Sequence, residues 1–279
     1  MARRVRLDAE LVRRGLARSR AEASELVTSR RVTVDGQLSE KPARQVDPAQ
    51  AIELVDASTT GYASRGAHKL LGALAVLGDC FAIAGRRALD AGASTGGFTD
   101  VLLRAGAASV VAVDVGYGQL AWRLQQDPRV EVLDRTNVRT LRPEDVAPAP
   151  GVVVSDLSFI SLTLVVGALR ACAAPDADFL LMVKPQFEVG RERLGAGGVV
   201  RDTALHHDAV LGVCAAAAAV GLDTWAVAAS PLPGPAGNVE YFVALTAGHP
   251  DALTGARLSA AVWQAIDEGP AGGPRTGER

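Results

Sequence analysis

The 279-residue sequence predicts an α/β protein, an open and largely parallel sheet with crossover helices, preceded by a small α+β module. Three observations predict it. From about residue 64, stretches of helical period alternate with short apolar runs of strand length, the pattern of a parallel sheet wrapped by helices. The first of those runs ends in a glycine-rich turn, Asp90-Ala91-Gly92-Ala93-Ser94-Thr95-Gly96-Gly97, that opens a helix. Ahead of them, residues 1–44 carry 11 Lys/Arg against 6 Asp/Glu, whereas the remainder carries 18 against 25. A basic arm on an acidic body points to a polyanionic partner.

Taken in order, Asp8 is placed to cap a short helix that closes on Gly15, and Ser19-Arg20-Ala21-Glu22 is a capping box for a second helix running towards Arg30. Val32-Thr33-Val34 alternates and turns at Asp35-Gly36, a hairpin signal. Small polar residues then mark a linker at 59–63, which divides a module at 1–58 from a second domain at 64–268. That domain reads as a helix over 65–78, strands at 87–90, 109–114, 130–133, 152–156 and 178–184, helices at 98–104, 160–173 and 205–220, and an antiparallel strand pair at 224–229 and 239–245. The Gly/Pro-rich tail at 269–279 is expected to be disordered.

The bulk composition, 48% hydrophobic with mean hydropathy +0.17, suits a globular enzyme. Cys80, Cys172 and Cys214 are odd in number and widely spaced, so neither a disulfide framework nor a metal site is expected, and a cytoplasmic location is. The longest apolar run, 210–222, falls short of the ~20 residues that span a bilayer.

Only Lys41, Lys69 and Lys184 carry ammonium groups; the other 26 cations of the Lys/Arg set are arginines. Guanidinium keeps its proton in proteins whereas an amine can be driven to its neutral, basic form, so Lys69 and Lys184 are candidate active-site amines. Moving an amine from ~10.4 to a working ~7–8 costs about 4 kcal/mol against the charged form.

The glycine turn has the spacing Gly-x-x-x-Gly-Gly rather than Gly-x-Gly-x-x-Gly, and its strand ends in Asp90. A carboxylate there repels pyrophosphate and suits a sulfonium or an α-amino group. Asp114 ends the second strand, where an acid accepts from ribose hydroxyls, and Asp134 ends the third, within reach of an adenine amine. S-adenosylmethionine fits these better than NAD, with Asp90, Gly92, Ser94, Thr95, Gly96, Gly97, Phe98, Asp114 and Asp134 as its candidate contacts. An NAD-dependent oxidoreductase stays the rival, separable by binding calorimetry with each cofactor. Lys69, Asp156, Lys184 and Glu240 lie before the first strand, at the ends of the fourth and fifth, and in the last pair, so they converge on the ligand-binding edge of such a sheet.

The two arginine-rich helices and following strand of the first module resemble an S4 RNA-binding domain, with Arg4, Arg6, Arg13, Arg14, Arg18, Arg20 and Arg30, joined by Arg65, as candidate RNA contacts. The order Lys69, Asp156, Lys184, Glu240 resembles the tetrad of FtsJ-like ribose 2′-O-methyltransferases. The strings Ser64-Arg65-Gly66-Ala67-His68-Lys69-Leu70 and Val183-Lys184-Pro185-Gln186-Phe187-Glu188 are closer still to the TlyA family, whose resemblance covers residues 1–246. It implies a Rossmann-like S-adenosylmethionine-dependent methyltransferase joined to an S4 domain, acting on cytidine 2′-hydroxyls in 16S or 23S ribosomal RNA, with ribosomal subunits as partner. Where that family reads Gly-Lys-Gly-Gly-Val-Val-Arg, this chain has Gly195-Ala196-Gly197-Gly198-Val199-Val200-Arg201. The family also carries a haemolysin label, which makes a membrane-active protein the other alternative. Residues 190–201 read either as a mobile lid with Arg191, Arg193 and Arg201 facing RNA or as an ordinary surface loop; the four histidines are expected to be structural, and Trp122 and Trp225 to fill core.

Overall fold

The structure, a computed structural model, describes residues 4–28, 31–47, 50–54, 61–234 and 236–272. In the first module β1 (Val5–Arg6) pairs antiparallel with β4 (Gln45–Val46), while β2 (Val32–Val34) lies between β3 (Gln37–Leu38) and β5 (Ile52–Leu54). Helices α1 (Leu7–Arg13) and α2 (Arg20–Thr28) close over them, burying Leu7, Leu11, Ala23, Val27, Val32 and Val34. The β2–β3 turn takes the left-handed conformation at both Asp35 (φ 51°) and Gly36 (φ 75°), as a tight two-residue hairpin requires.

One local expectation changes. Asp8 is not the N-cap: α1 begins at Leu7, and the buried Asp8 carboxylate accepts from both Arg6 and Arg20. Two guanidiniums satisfy more of a desolvated carboxylate than helix amides would. The second helix is described as far as Thr28, and Arg30 lies outside the described residues.

The second domain contains α3 (Ala67–Leu77), β6 (Arg87–Ala91), α4 (Gly97–Arg104), β7 (Ser109–Val113), α5 (Trp122–Gln125), β8 (Val130–Leu133), β9 (Val152–Ser155), α6 (Val166–Cys172), β10 (Asp178–Val183), α7 (Pro185–Glu188), α8 (Thr203–Ala219), β11 (Asp223–Ala229), β12 (Tyr241–Thr246) and α9 (Gly255–Glu268). Its seven strands run in the order β11-β12-β10-β9-β6-β7-β8. The pairs from β10 to β8 are parallel, and β12 runs antiparallel to both of its neighbours. The carboxyl ends of β6, β9 and β10 therefore share one edge.

The period-2 rule explains why β10 is apolar throughout. Phe179, Leu181 and Val183 enter one layer with Leu169, Val210 and Ile266, while Leu180 and Met182 enter the other with Leu70, Phe98 and Leu102. Each such side chain, fully buried, contributes roughly 1.5–3 kcal/mol of transfer free energy.

The expected helix at 160–173 is split: a 3-10 turn at Leu162–Leu164 precedes α6, because Ser161 caps the amide of Thr163. Helix α9 lies within the expected domain but outside the elements read from sequence. Trp122 is 72% exposed rather than in the core, whereas Trp225 is half-buried and stacked on His249. Of the 59–63 linker, residues 61–63 pack on α4: Ala63 N donates to Asp100, Arg123 donates to Gly61 O, and Arg104 stacks over Tyr62. Of the 269–279 tail, residues 269–272 form a turn on the end of α9, and the rest lies outside the described residues.

Candidate active site

The four candidate catalytic residues meet. Lys69 projects from the first turn of α3, Asp156 and Lys184 follow the last residues of β9 and β10, and Glu240 directly precedes β12. Lys69 Nζ donates to Glu240 Oε2 at 2.5 Å and lies 4.0 Å from Asp156 Oδ2, while Lys184 Nζ lies 2.6 Å from Asp156 Oδ1. Two ammoniums thus alternate with two carboxylates along one line. Lys69, Lys184 and Glu240 are 5%, 7% and 1% exposed, so each charge has been taken from water and needs its partner. Lys184 also donates to Ser158 Oγ at 2.9 Å, a contact that sequence reading missed.

Beside this line the β6 turn forms a cradle. Gly92 has φ 91°, and a Cβ there would stand 2.7 Å from Asp156 O, so only glycine lets the turn lie against the tetrad. Gly96, at φ 94°, is backed by Leu120 and Leu124, and a Cβ on Gly97 would meet Ala67 N at 2.9 Å. Phe98 underpins the cradle, stacked on Phe242.

The three strand-end acids stand behind the lining rather than in it. Asp114 accepts from Ser94 N and Gly116 N, and Asp134 accepts from Gly118 N, so both shape the rim. Asp90 is fully buried; its Oδ2 accepts from Thr99 Oγ1, and its Oδ1 has no hydrogen-bond partner among the described residues. Burial, with smaller contributions from Asp156 and Asp114, pushes this carboxyl up to about 7 despite the Thr99 bond.

The cradle and three of the tetrad, Lys69, Asp156 and Lys184, open onto one cavity of about 850 Å³, with Glu240 buried behind Lys69. Its lining includes Lys69, Lys184, Asp156, Ser158, Ser94, Thr95 and Arg65, and on the other side Asp35, Gly36, Gln37 and Arg44 of the first module. The β2–β3 turn touches the cradle: a Cβ on Gly36 would overlap Thr95 Cγ2.

This geometry agrees with comparison to known proteins. The model of the FtsJ-like methyltransferases matches residues 62–247, and that of the S4 domain matches residues 5–52. The chain belongs to the FtsJ-like methyltransferase family. Within it the TlyA group is the nearer kin: the 16S/23S rRNA (cytidine-2′-O)-methyltransferase TlyA of Mycobacterium tuberculosis is 56% identical over 270 residues, covering 97% of this chain and 100% of that protein. Among solved structures, a Streptococcus thermophilus protein with a provisional hemolysin designation superposes with TM-score 0.74 at 35% identity, covering 96% of this chain and 98% of that one. A Listeria monocytogenes structure with a provisional S-adenosylmethionine-dependent methyltransferase designation shares the fold at TM-score 0.50 and 16% identity, covering 66% of this chain and 99% of that one. No helix among the described residues is long and apolar enough to cross a membrane.

In this TlyA-type enzyme the S4 arginines are held in pairs. Buried Asp8 holds Arg6 and Arg20, and buried Glu10 holds Arg13 and Arg14. Their guanidiniums, bonding first through Arg6 and Arg13, hold both carboxyls down at about 2. Arg6, Arg13 and Arg20 stay 46–62% exposed, so each cluster is anchored on one side and presents positive charge on the other. Arg18 is exposed and paired with Glu22; Arg4 and Arg65 are exposed.

Phe159 is a second residue the sequence reading missed. It is 90% exposed, holds φ 65°, and its ring lies 5.3 Å from that of Phe187, one residue beyond Ser158. An exposed aromatic in a left-handed backbone is strained, and such strain clusters at binding sites. The signal available in sequence was an aromatic inside a Ser/Leu-rich strand-end loop.

The expected lid is anchored at one end: Asn238 accepts from Val200 N and donates to Gly198 O, and His206 Nε2 donates to Val200 O while Nδ1 accepts from Tyr241. Arg193 binds Val189 O, Arg201 lines a separate cavity of about 380 Å³, and the Arg191 side chain lies outside the described set.

Proposed function

We propose that this enzyme transfers a methyl group from S-adenosylmethionine to the 2′-hydroxyl of cytidine ribose in ribosomal RNA, 16S, 23S or both. One observation carries the reading: Lys69, Asp156 and Lys184, backed by the buried Glu240, line a single cavity together with the glycine cradle. The Mycobacterium tuberculosis relative, named for cytidine 2′-O-methylation of 16S and 23S rRNA, supports the acceptor.

The residues of the cradle fit the donor. Asp90 Oδ1, buried without a partner, is an acceptor in want of a hydrogen, which an α-ammonium supplies. Asp114 and Asp134 have lone pairs beyond their amide bonds for ribose hydroxyls and an adenine amine, and Ser94, Thr95, Gly96, Gly97 and Phe98 wrap the remainder. Bound there, S-adenosylmethionine supplies an electrophilic methyl on a sulfonium.

On the acceptor side, Lys184 in its free-amine form takes the hydroxyl proton, Asp156 and Ser158 aim that amine, and Lys69 with Glu240 balances the charge of Asp156. Much of the acceleration comes from holding oxygen and methyl in line. Phe159 offers its open face to the base of one unstacked nucleotide.

Residues 1–58 act as the RNA-holding module, 59–63 as its link, and 64–268 as the catalytic domain. Arg4, Arg6, Arg13, Arg14, Arg18, Arg20, Arg30 and Arg65 serve as phosphate contacts, and ribosomal subunits place the enzyme in the cytoplasm. The test is a map of ribose methylation in rRNA from cells with and without the protein, repeated in vitro with labelled S-adenosylmethionine. Loss of specific 2′-O-methylcytidines in the cells lacking it is the expected result; an unchanged map, with no transfer in vitro, refutes the reading.

A further inference from the structure

Glu188 is a half-buried carboxylate that the mechanism above leaves unused. It closes α7, the single turn that begins directly after Lys184, and Pro185 at the first position of that turn fixes its direction. Across from α7 runs the loop 156–162, which carries Asp156, Ser158 and Phe159. Glu188 Oε1 accepts from Leu162 N at 2.8 Å, and Oε2 accepts from Ser161 Oγ at 2.5 Å. The hydroxyl of Ser161, donating to Glu188, accepts in turn from Thr163 N at 3.1 Å, so the bonds form a directed chain. Burial raises the Glu188 pKa, and the two bonds to its carboxylate oppose the rise. The turn and the loop thus meet in order along their lengths: Lys184 on Asp156 and Ser158, Phe187 beside Phe159, Glu188 on Ser161 and Leu162. Glu188 lies outside the cavity lining and outside the donor cradle.

We propose that Glu188 is a positioning residue for the acceptor half of the site, a clamp that sets the 156–162 loop against Lys184 and so fixes where the target nucleotide and its 2′-hydroxyl lie. The inference rests on the proposed function for what is positioned; the clamp itself is read independently of activity. A loop released at Ser161 and Leu162 lets Phe159 and Ser158 drift relative to the Lys184 amine, and misplacement of about 1 Å costs on the order of 100-fold in rate. The cradle at 92–98 follows β6 and meets the loop only at its Asp156–Leu157 end, away from the Ser161 and Leu162 bonds that the clamp makes.

The test uses the full-length protein with Glu188→Ala, Glu188→Gln and Ser161→Ala. Glu188→Ala lowers kcat/KM for rRNA about 10- to 100-fold, with KM for RNA raised and kcat lowered, while the S-adenosylmethionine dissociation constant from calorimetry stays within about two-fold. Glu188→Gln keeps an acceptor for Leu162 N and restores most of the loss; Ser161→Ala gives an intermediate defect that does not add to that of Glu188→Ala. Amide hydrogen exchange in the 157–164 segment accelerates in Glu188→Ala and not in the 92–98 segment. Wild-type kinetics in both alanine variants overturn the proposal, as does a loss of donor binding matching the loss of RNA methylation. If exchange responds as expected but the wild-type protein transfers no methyl group to rRNA, the clamp stands and the proposed substrate falls.

Discussion

Replacing Asp90 by Asn tests the cradle through protein stability alone. The Asp90 carboxyl ionises near 3.8 in an unfolded chain, while burial in the folded protein pushes it up to about 7. Between these values the unfolded chain binds fewer protons than the folded one, so raising the pH favours unfolding. Each pH unit costs about 1.4 kcal/mol across that window, and the full penalty, about 4 kcal/mol, is present above pH 7. Asn fills the same space and accepts from Thr99 Oγ1 but has no charge to desolvate. Urea unfolding of both proteins at pH 5, 6, 7 and 8.5, without donor, isolates the effect because titrating groups that do not feel Asp90 cancel in the difference. Asp90→Asn should gain on the wild type by about 2.3 kcal/mol from pH 5 to pH 7 and level off by about pH 8. It should also bind S-adenosylmethionine far more weakly at pH 8, since an amide cannot pair with an ammonium as a carboxylate does. A stability difference independent of pH refutes the reasoning, because Asp90 would then be no stored charge awaiting a cation.

Other outcomes follow from the same geometry. Lys184→Ala should abolish methyl transfer with donor affinity in calorimetry nearly unchanged, and Lys184→Arg should not rescue it, because a guanidinium does not give up its proton; activity in either variant rejects Lys184 as the base. Phe159→Ala should raise KM for RNA by about 10-fold, in keeping with the ~1–3 kcal/mol of a base–aromatic stack, while Phe159→Trp retains activity; equal KM values in steady-state kinetics discard the stacking platform. Doubling the salt concentration should weaken binding to an rRNA fragment steeply, and Arg6→Ala or Arg20→Ala should flatten the log–log slope by about one each; filter binding at several salt concentrations decides it.

The parts of the fold that sequence revealed are those set by local periodicity. The β6 turn, the parallel strands and the Asp35-Gly36 hairpin all follow from spacing, and Asp156 and Lys184 follow from the rule that strand ends share an edge, while Lys69 and Glu240 join them through the family resemblance. What escaped depends on contacts between distant segments. Asp8 reads as a helix cap until Arg20 is seen to reach it from the next helix. Asp90, Asp114 and Asp134 read as ligand contacts from their strand-end positions, yet each first holds a neighbouring group of the protein, which only the burial and bonding of the folded chain disclose. Ser158 and Phe159 carry no motif; their significance comes from standing beside Lys184 across 26 residues of sequence. Trp122 misleads for the opposite reason, since its helix is too short and marginal for composition to show which way it faces.

The abutment of Gly36 on Thr95 bears on how such an enzyme can be re-engineered. An RNA-binding unit that merely tethers its catalyst can be exchanged for another with a suitable leash. Here the hairpin tip is masonry in the chamber itself, so any transplanted recognition unit must bring a loop with a bare backbone at that spot. The two halves of this chain are therefore bound to change together.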